Sequence, residues 1–452
     1  MLPVAVIGGG FSGAMTAVQL SRSLPPDRPI QVFERGEKIG TGVAYGTGNA
    51  QHLLNVRASN MSAFPDEPGH FEAWLKTEAG AARADWHETE AGVFSSRRLY
   101  ARYIADTFAR AERPLTVRRA VADCRRTDDG FLLTDEAGQE HAAAAVILAT
   151  GHVLPSPGGD SRHVTNPWDL SYLDGLDPEV PILVLGTALT MVDILLILRQ
   201  AGHRGEIVAL SRRGALSLAH RPITPWPTPD FTAGERATVR GVMRRLRREA
   251  AKAASAGVDW RAVIDSIRPI TVDLWAGWDK AERLRFLRHA RRWWDIHRHR
   301  MAPPNAEYIE RERQSGGLSV IAGRLLSLSG GPDGLAATWR LRSGGEQTRR
   351  FQRVINATGL ESLGRGRAGL IDRLLGNGLV RLDPLGIGLD VTDSLAAIGA
   401  GGTPVPGLWA VGPIVRGTFW ECIAVPDIRR QAADCAARVA DYFAVTSTVP
   451  VM

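Results

Sequence analysis

The residues that most directly suggest chemistry are three glycines near the start of the chain, Gly8, Gly10 and Gly13, in the spacing G-x-G-x-x-G. A short apolar run, Val4–Ile7, precedes them and predicts a buried parallel strand, and a helical pattern follows. Gly8 suits a tight turn, Gly10 lets the backbone approach a phosphate, and Gly13 lets helix and strand pack closely. The N-terminus of such a helix directs N–H groups and a positive dipole at a pyrophosphate.

The second predicted strand, Ile30–Phe33, is followed by Glu34, in the position where a carboxylate accepts hydrogen bonds from a ribose diol. Strand, glycine loop, helix and acidic strand end therefore occur in the order of a dinucleotide-binding βαβ unit. We favour this interpretation over a glycine-rich turn without a ligand. The unit predicts FAD, because FMN has neither the pyrophosphate nor the adenosine ribose that these residues address.

Two unusual segments follow this unit. Residues 39–47 are rich in glycine, which indicates a loop whose backbone lies close to neighbouring groups. Residues 52–64 are too apolar for a free surface loop and too irregular for one helix. Beside a nucleotide site, such a segment is expected to line the reactive end of the cofactor, with Asn55 offering a polar contact. The alternative is a buried connector without chemistry.

The triplet Ala-Thr-Gly occurs twice, each time after a predicted strand. Ala145–Leu148 runs into Thr150 and Gly151, small residues that suit a chain passing close to a bound nucleotide. Arg353–Asn356 runs into the second triplet, residues 357–359. The two copies predict that the chain leaves the first fold near residue 155 and returns to it near residue 360.

A second fold is predicted to begin near Pro181, with the strand Ile182–Leu185 and a helix after Gly186. Only this one glycine of the fingerprint remains, since Ala188 and Met191 replace the other two. Residues 206–210 predict the next strand.

Arg212 follows Gly186 at the spacing at which Glu34 follows Gly8, so we place Arg212 in the position that Glu34 holds in the first fold. An arginine at that position favours the 2′-phosphate of NADPH. The alternative is a vestigial fold that binds no nicotinamide. The predicted NADP contacts are Gly186, Thr187, Thr190, Ser211, Arg212 and Arg213.

Residues 222–315 show no strand pattern and predict a helical insert. Residues 235–254 predict an Arg-rich helix, interpreted as a solvated face rather than an anion site. Residues 281–300 predict another helix, in which four residues from Phe286 to His297 form an apolar stripe that includes Trp293. The stripe either docks the insert on the two folds or forms part of a cap over the flavin.

Composition excludes several classes of protein. The net charge of +7 comes from arginines spread along 452 residues, which argues against nucleic-acid binding. Residues 181–198 divide into a strand and a helix and contain Asp193, so we reject a transmembrane span. The N-terminus shows no basic leader, so we expect a cytoplasmic protein. The three cysteines form no C-x-x-C pair, so we expect no redox-active disulfide. The cluster His289, His297 and His299 lacks carboxylates and the H-E-x-x-H pattern, so we expect no metal site there.

The fingerprint, the acidic strand end and the Ala-Thr-Gly triplet together resemble a two-dinucleotide flavoprotein. The motifs GTGVAYGT, HLLNVRASNMSAF, WWDIHRHR and WECIAVPDIRRQA are similar to those of a bacterial group of FAD/NAD(P)-binding oxidoreductases. That group is related to the flavin-dependent N-hydroxylating monooxygenases. The resemblance covers nearly the whole chain and implies FAD and the architecture more specifically than a substrate.

Further predicted FAD contacts follow from this resemblance. The last predicted strand, residues 407–413, and the helix at 423–442 resemble the element that meets the ribityl chain and the pyrimidine edge of the flavin. Residues 115–121 predict a strand with Val121 at its end. The full set of predicted FAD contacts is Gly8, Gly10, Phe11, Ser12, Gly13, Glu34, Arg35, Tyr45, Asn55, Val121, Thr150, Gly151, Gly412 and Pro413.

The expected fold class is α/β, with two Rossmann-like, three-layer ββα dinucleotide-binding domains and a helical insert. We assign residues 1–165 to the first segment of the FAD domain. Residues 175–352 form the NAD(P)-binding-like domain with its insert, and residues 353–452 form the C-terminal segment of the FAD domain.

The resemblance implies an FAD-dependent, NADPH-using monooxygenase that hydroxylates a small polar, amine-bearing metabolite. Two alternatives stay open. One is a flavin oxidase or dehydrogenase that does not use NADPH, favoured by Ala188 and Met191 and opposed by Arg212. The other is a non-catalytic flavin-binding protein. No residue stands out as a general base, so the sequence names no catalytic residue, and it does not define the oligomeric state.

Overall fold

The computed structural model describes residues 1–78, 83–151, 160–331, 334–359, 363 and 369–446. Two sheets organise these residues, one of six strands and one of seven, accompanied by a three-stranded meander and a two-stranded hairpin. Helices pack on both sheets, so the predicted α/β fold class is confirmed.

The first segment builds most of the six-stranded sheet. Its central strand, Val4–Ile7, pairs in parallel with a neighbour on each side and is fully buried. The elements are β1 Val4–Ile7, α1 Phe11–Ser23, β2 Ile30–Phe33, α2 Gly42–Tyr45, α3 His70–Glu78, β3 Trp86–Thr89, β4 Gly92–Ser95, α4 Arg97–Ala109, β5 Pro114–Val117, β6 Val121–Thr127, β7 Gly130–Asp135, β8 Glu140–Ala143 and β9 Ala145–Leu148.

The C-terminal end predicted for the strand of residues 115–121 is wrong. Strand β5 stops at Val117, where the N–H of Arg119 bonds back to the Val117 carbonyl at 2.8 Å and turns the chain. Val121 therefore begins β6 of the meander instead of ending the strand of residues 115–121.

The second fold opens with β10 His163–Val164, β11 Ile182–Leu185, α5 Leu189–Gln200 and β12 Ile207–Ser211. The insert follows with α6 Ala233–Arg236, α7 Val239–Ser255, α8 Trp260–Ser266, α9 Thr271–Ala276, α10 Lys280–Arg285, a π turn at Phe286–Ala290 and α11 Arg291–Arg298. The fold closes with α12 Pro303–Gln314, β13 Leu318–Gly331, β14 Gly334–Leu341, β15 Glu346–Phe351 and β16 Arg353–Asn356.

Both helices predicted in the insert are interrupted. The helix of residues 235–254 is two helices, because the Thr238 side chain caps α7 through the N–H of Gly241. In the second helix the π turn adds a residue and rotates the apolar face. Phe286 and Ala290 of the predicted stripe are buried, but Trp293 is 40% exposed and Ile296 is buried in its place.

The chain then returns to the first sheet. The elements are α13 Leu370–Gly376, β17 Ala396–Ile398, β18 Pro404–Ala410 and α14 Val425–Thr446. Strand β18 pairs in parallel with β9, and α14 packs on α1. The core of the first fold therefore draws on both ends of the chain.

Sheet membership corrects the domain boundaries. Strand β10 lies in the seven-stranded sheet, so the second fold begins before residue 175 and already includes His163. Strand β16 pairs with β11, so the second fold ends after Asn356 rather than at residue 352. Among the described helices, none is long and apolar enough to cross a membrane.

Candidate cofactor-binding site

The glycine loop of the first fold leaves β1 at Gly8, which has φ +104°. A Cβ at this position would lie 2.5 Å from the Ala149 carbonyl oxygen, and one at Gly13 would overlap the carbonyl of Gly8. Both glycines are thus required by contacts within the protein.

Gly10 is different, because the nearest heavy atom to a Cβ there is the Gly42 Cα at 3.5 Å, an ordinary contact. Protein packing alone does not demand glycine at this position. The residue precedes the first turn of α1, where N–H groups without helical partners face outward. A phosphate fits this position, and a side chain would fill the approach.

Glu34 is fixed at the end of β2 by two backbone donors. Its Oε2 accepts the N–H of Gly9 at 2.8 Å, and its Oε1 accepts the N–H of Gly36 at 2.7 Å. Each carboxylate oxygen can accept a second hydrogen bond. The half-buried side chain can therefore receive a ribose diol beside the loop.

The other predicted FAD contacts divide into two groups. The ring of Phe11 is buried against Tyr45 and Tyr100, with centroids 6.3 and 6.2 Å away, so only its backbone faces the loop. Ser12 is buried and lies directly against Gly412, since a Cβ at Gly412 would overlap the Ser12 Oγ. The ends of β1 and β18 therefore meet at one site.

The remaining candidates lie at the edge of this site or further away. Thr150 is next to the loop, since its Cα lies 3.2 Å from where a Gly8 Cβ would be. Gly151 and Pro413 are half-buried, and Arg35 is exposed. Val121 is buried in the core at the start of the meander.

Asn55 lies where the two folds and the insert meet. Its carbonyl accepts a hydrogen bond from His220 Nε2 at 3.0 Å. The residue lines a small cavity of mostly apolar side chains, in which Arg97, Asp193 and Asn305 are the other polar residues. Burial and nearby arginines, Arg300 foremost, lower the pKa of His220 to about 3, so its ring is neutral.

The loop of the second fold keeps the backbone of the first despite its lost glycines. Gly186 has φ +115°, and a Cβ there would lie 2.5 Å from the Ala357 carbonyl oxygen, as at Gly8 and Ala149. Ala188 has φ −92° and ψ −168°, close to −67° and −172° at Gly10. The change at Ala188 is therefore the added methyl group alone.

Strand register corrects the placement of Arg212. Leu185 pairs with Leu210 as Ile7 pairs with Phe33, so the residue that corresponds to Glu34 is Ser211. Ser211 Oγ contacts Thr187 Oγ1 at 3.0 Å, just as Glu34 contacts Gly9. Helix α5 has 12 residues where α1 has 13, so the second strand begins one residue earlier than in the first fold.

Arg212 and Arg213 come immediately after this position and are both exposed. The Arg213 guanidinium lies over the Trp293 ring, 5.4 Å from its centroid. Arg212 has no hydrogen bond or ion pair within the described ranges. Thr190, in the first turn of α5, is half-buried.

Sequence reasoning missed Arg292, which joins the insert to the second loop. Its Nη2 donates to Thr187 Oγ1 at 2.9 Å, across a large separation in sequence. The motif WWDIHRHR, one of those that carry the family resemblance, begins at the next residue, but no spacing rule connects it to the loop. Helix α11 is thus one wall of the second loop.

The insert docks on the C-terminal segment through a buried acid. Glu421 Oε1 accepts the indole N–H of Trp294 at 2.8 Å, and Oε2 lies 3.3 Å from Arg298 Nε without hydrogen-bond alignment. Burial alone would raise the pKa of Glu421, but Arg298 and His299 outweigh it and hold the pKa below its ordinary value. The carboxylate therefore stays ionised between the two parts.

No catalytic base or metal centre emerges from the described part of the chain. No three His, Cys, Asp or Glu side chains there are grouped to hold a metal ion. Cys124, Cys422 and Cys435 are buried and unpaired, and burial raises the pKa of each thiol.

Comparison with known proteins agrees with this geometry. Residues 5–153 match the model of the FAD-NAD(P)-binding family. Comparison with curated protein sequences gives no match.

Solved structures extend the likeness to the whole chain. The reduced ornithine hydroxylase PvdA from Pseudomonas aeruginosa is similar at TM-score 0.64 and 14% identity, over 98% of this chain and 100% of that chain. L-lysine 6-monooxygenase from Pseudomonas syringae gives 0.66 and 12%, over 98% and 100%. The Kutzneria sp. 744 ornithine N-hydroxylase KtzI, with FADred, NADP+ and L-orn, gives 0.65 and 15%, over 98% and 99%.

At such identities the structural likeness concerns the fold alone. The family match and the geometry of the first loop together go further for the N-terminal part. Residues 5–153 are an FAD-NAD(P)-binding domain, within a chain that has the fold of the two-dinucleotide-binding flavoproteins.

Proposed function

We propose that this protein is an FAD-dependent monooxygenase that uses NADPH to hydroxylate a small polar, amine-bearing metabolite. For an amine, the balanced reaction consumes NADPH, a proton and O2 and yields the hydroxylamine, NADP+ and water. Bound FAD would supply the electron transfer and oxygen activation, and the protein supplies position, dryness and electrostatics.

The observation that supports the use of NADPH most directly is the exposed Arg212. It lies beside a loop whose backbone conformation matches that of the first glycine loop. A guanidinium binds a phosphate through parallel charge-assisted hydrogen bonds. NADH has no 2′-phosphate to offer this side chain. The corrected register adds to the preference, because Ser211 stands where an acid would favour the free ribose of NADH.

The amine-bearing substrate is suggested by the related structures, whose names include ornithine and lysine. In this chain the small cavity beside Asn55 offers the carboxylate of Asp193 and the amides of Asn55 and Asn305. Acceptors of this kind suit an ammonium group. Arg97 pairs with Asp193 at 2.9 Å and limits the negative charge that the cavity presents.

An oxidase or dehydrogenase that does not use NADPH is the second candidate. Ala188 favours it, because its methyl group narrows the approach to the loop. Met191 favours it too, since a fully buried methionine replaces the glycine that packs helix on strand. A non-catalytic flavin-binding protein would bind FAD without turnover by any electron donor.

A screen for amines that accelerate NADPH oxidation tests the proposal. Hydrogen peroxide and hydroxylamine products are measured in the same reactions, so that uncoupled oxidation is distinguished from hydroxylation. We expect a substrate to raise NADPH consumption and lower the peroxide formed per NADPH. Substrate-driven peroxide formation without any NADPH requirement would instead support the oxidase.

A further inference from the structure

We infer that Arg292, a residue of the insert, binds the pyrophosphate of the nicotinamide cofactor at the second fold; the inference rests on the proposed use of NADPH. The guanidinium bonds Thr187, the residue directly after the Gly186 turn, at 2.9 Å. Helix α5 begins two residues later, at Leu189. Arg292 therefore lies at the loop whose N–H groups address a pyrophosphate.

The charge of Arg292 is not neutralised within the described parts of the chain. No carboxylate there lies within ion-pair distance, and Asp295 acts on Arg292 only through its longer-range charge. Burial lowers the pKa of this half-buried guanidinium, which means that desolvation opposes the charge. A guanidinium has five N–H donors, and Thr187 takes one of them. An anion with several oxygens would use the others.

Arg292 also offsets the change in the loop itself. In the first fold Gly10 admits a phosphate close to the backbone, whereas the methyl of Ala188 keeps it further away. A cation that reaches the pyrophosphate from the opposite wall restores part of the lost attraction. The next residue, Trp293, contacts Arg213, so α11 extends along the strand end that would receive the 2′-phosphate.

The pyrophosphate assignment gives a distinctive expectation, because NADPH and NADH share the pyrophosphate and only NADPH has the 2′-phosphate. Arg292→Ala should raise the Kd of both cofactors by the same factor, about tenfold, as for the loss of a charge-assisted hydrogen bond. Arg212→Ala should raise the Kd of NADPH alone. Arg292→Gln, which keeps a donor for Thr187 but removes the charge, should behave like Arg292→Ala.

The test titrates NADP+ and NAD+ into each FAD-loaded variant, following equilibrium binding by calorimetry, and then measures anaerobic flavin reduction by NADPH and NADH. Arg288→Ala is the matched control, since Arg288 is exposed on the preceding π turn and makes no bond within the described residues. It should leave both affinities unchanged.

Three results would overturn or limit the assignment. If Arg292→Ala binds each cofactor as tightly as the control Arg288→Ala does, Arg292 has no role in binding, while the proposed function stands. If Arg292→Ala weakens only the phosphorylated cofactors, Arg292 binds the 2′-phosphate and the pyrophosphate assignment is wrong. If the wild-type protein binds neither cofactor and neither reduces its flavin, the proposed use of NADPH fails together with this inference.

Discussion

At the residue scale, Gly10 is the glycine whose replacement separates binding from folding. Gly10→Ala should give a folded protein that binds FAD more weakly, because the Cβ meets no protein atom closer than 3.5 Å but narrows the phosphate approach, as the methyl of Ala188 does in the second fold. The melting temperature of the apoprotein should change little, since a compatible Gly→Ala change is worth only about 0.4–1 kcal/mol. Absorbance at the flavin bands measures the bound FAD.

Gly13→Ala is the control, because its Cβ would overlap the Gly8 carbonyl and should destabilise the fold itself. Full flavin content in Gly10→Ala would contradict the assignment of this loop to the FAD pyrophosphate.

Asn55 gives a second prediction at this scale. Asn55→Ala removes a side-chain amide from the cavity while leaving the carbonyl that bonds His220. The flavin spectrum or redox potential should therefore change more than the melting temperature. If both optical and redox properties stay at their wild-type values, Asn55 does not lie beside the isoalloxazine ring.

Ser211 offers a specificity test that follows from the corrected register. Ser211→Glu places a carboxylate where Glu34 stands in the first fold, so NADH should gain relative to NADPH. Arg212→Ala should cost NADPH about 1.5–3 kcal/mol, roughly ten- to hundredfold in Kd, and leave NADH unchanged. Competitive titration of the two nucleotides measures both changes. An unaltered preference in both variants would contradict this placement of the ribose.

At the element scale, the contact of the insert with the C-terminal segment depends on Glu421. Because its folded-state pKa is depressed, the carboxylate stabilises the protein above its unfolded pKa of about 4.3, and this contribution is lost as the pH falls through the lower folded pKa. Glu421→Gln should leave Arg298 buried without a charge partner and cost about 3–5 kcal/mol. Urea unfolding at pH 7 and pH 3 should show a smaller acid loss in the variant than in wild type.

Local sequence patterns predicted the elements whose signals are local. The strands Val4–Ile7, Ile30–Phe33 and Ile182–Leu185 have the predicted bounds, because short buried parallel strands are continuous apolar runs. The π turn at Phe286–Ala290 has no such signal, and it shifted the predicted apolar stripe.

The positions around the second loop depend on connection lengths and on contacts distant in sequence. Helix α5 is one residue shorter than α1, which moves Ser211 into the position predicted for Arg212. The bond between Arg292 and Thr187 joins elements that only the folded insert brings together. Residue spacing therefore predicted the turn, the helix and the strand of the second fold, but not which side chains meet beside the turn.

At the scale of the whole molecule, the two folds are joined by a buried ion pair. Arg97 at the start of α4 contacts Asp193 in α5 at 2.9 Å, with 15% and 4% of the two side chains exposed. His52 adds a contact to the Asp193 carbonyl at 3.2 Å. Asp193 therefore holds the second fold against the segment that contains Asn55.

Breaking this pair should loosen the arrangement of the folds. Arg97→Met leaves a buried carboxylate unpaired and should cost about 3–5 kcal/mol, with a lower melting temperature. Flavin reduction by NADPH should also slow, because the two cofactor sites lose their fixed separation. Wild-type stability and reduction rate in this variant would show that the pair does not set the geometry.

The most direct test of the proposed function is anaerobic reduction of the bound FAD by NADPH and by NADH, measured as bleaching of the flavin absorbance over a range of nucleotide concentrations. NADPH should reduce the flavin at lower concentrations than NADH, and Arg212→Ala should remove this difference. Failure of both nucleotides to bleach the wild-type flavin would contradict the proposed use of NADPH and favour an oxidase or a non-catalytic flavoprotein.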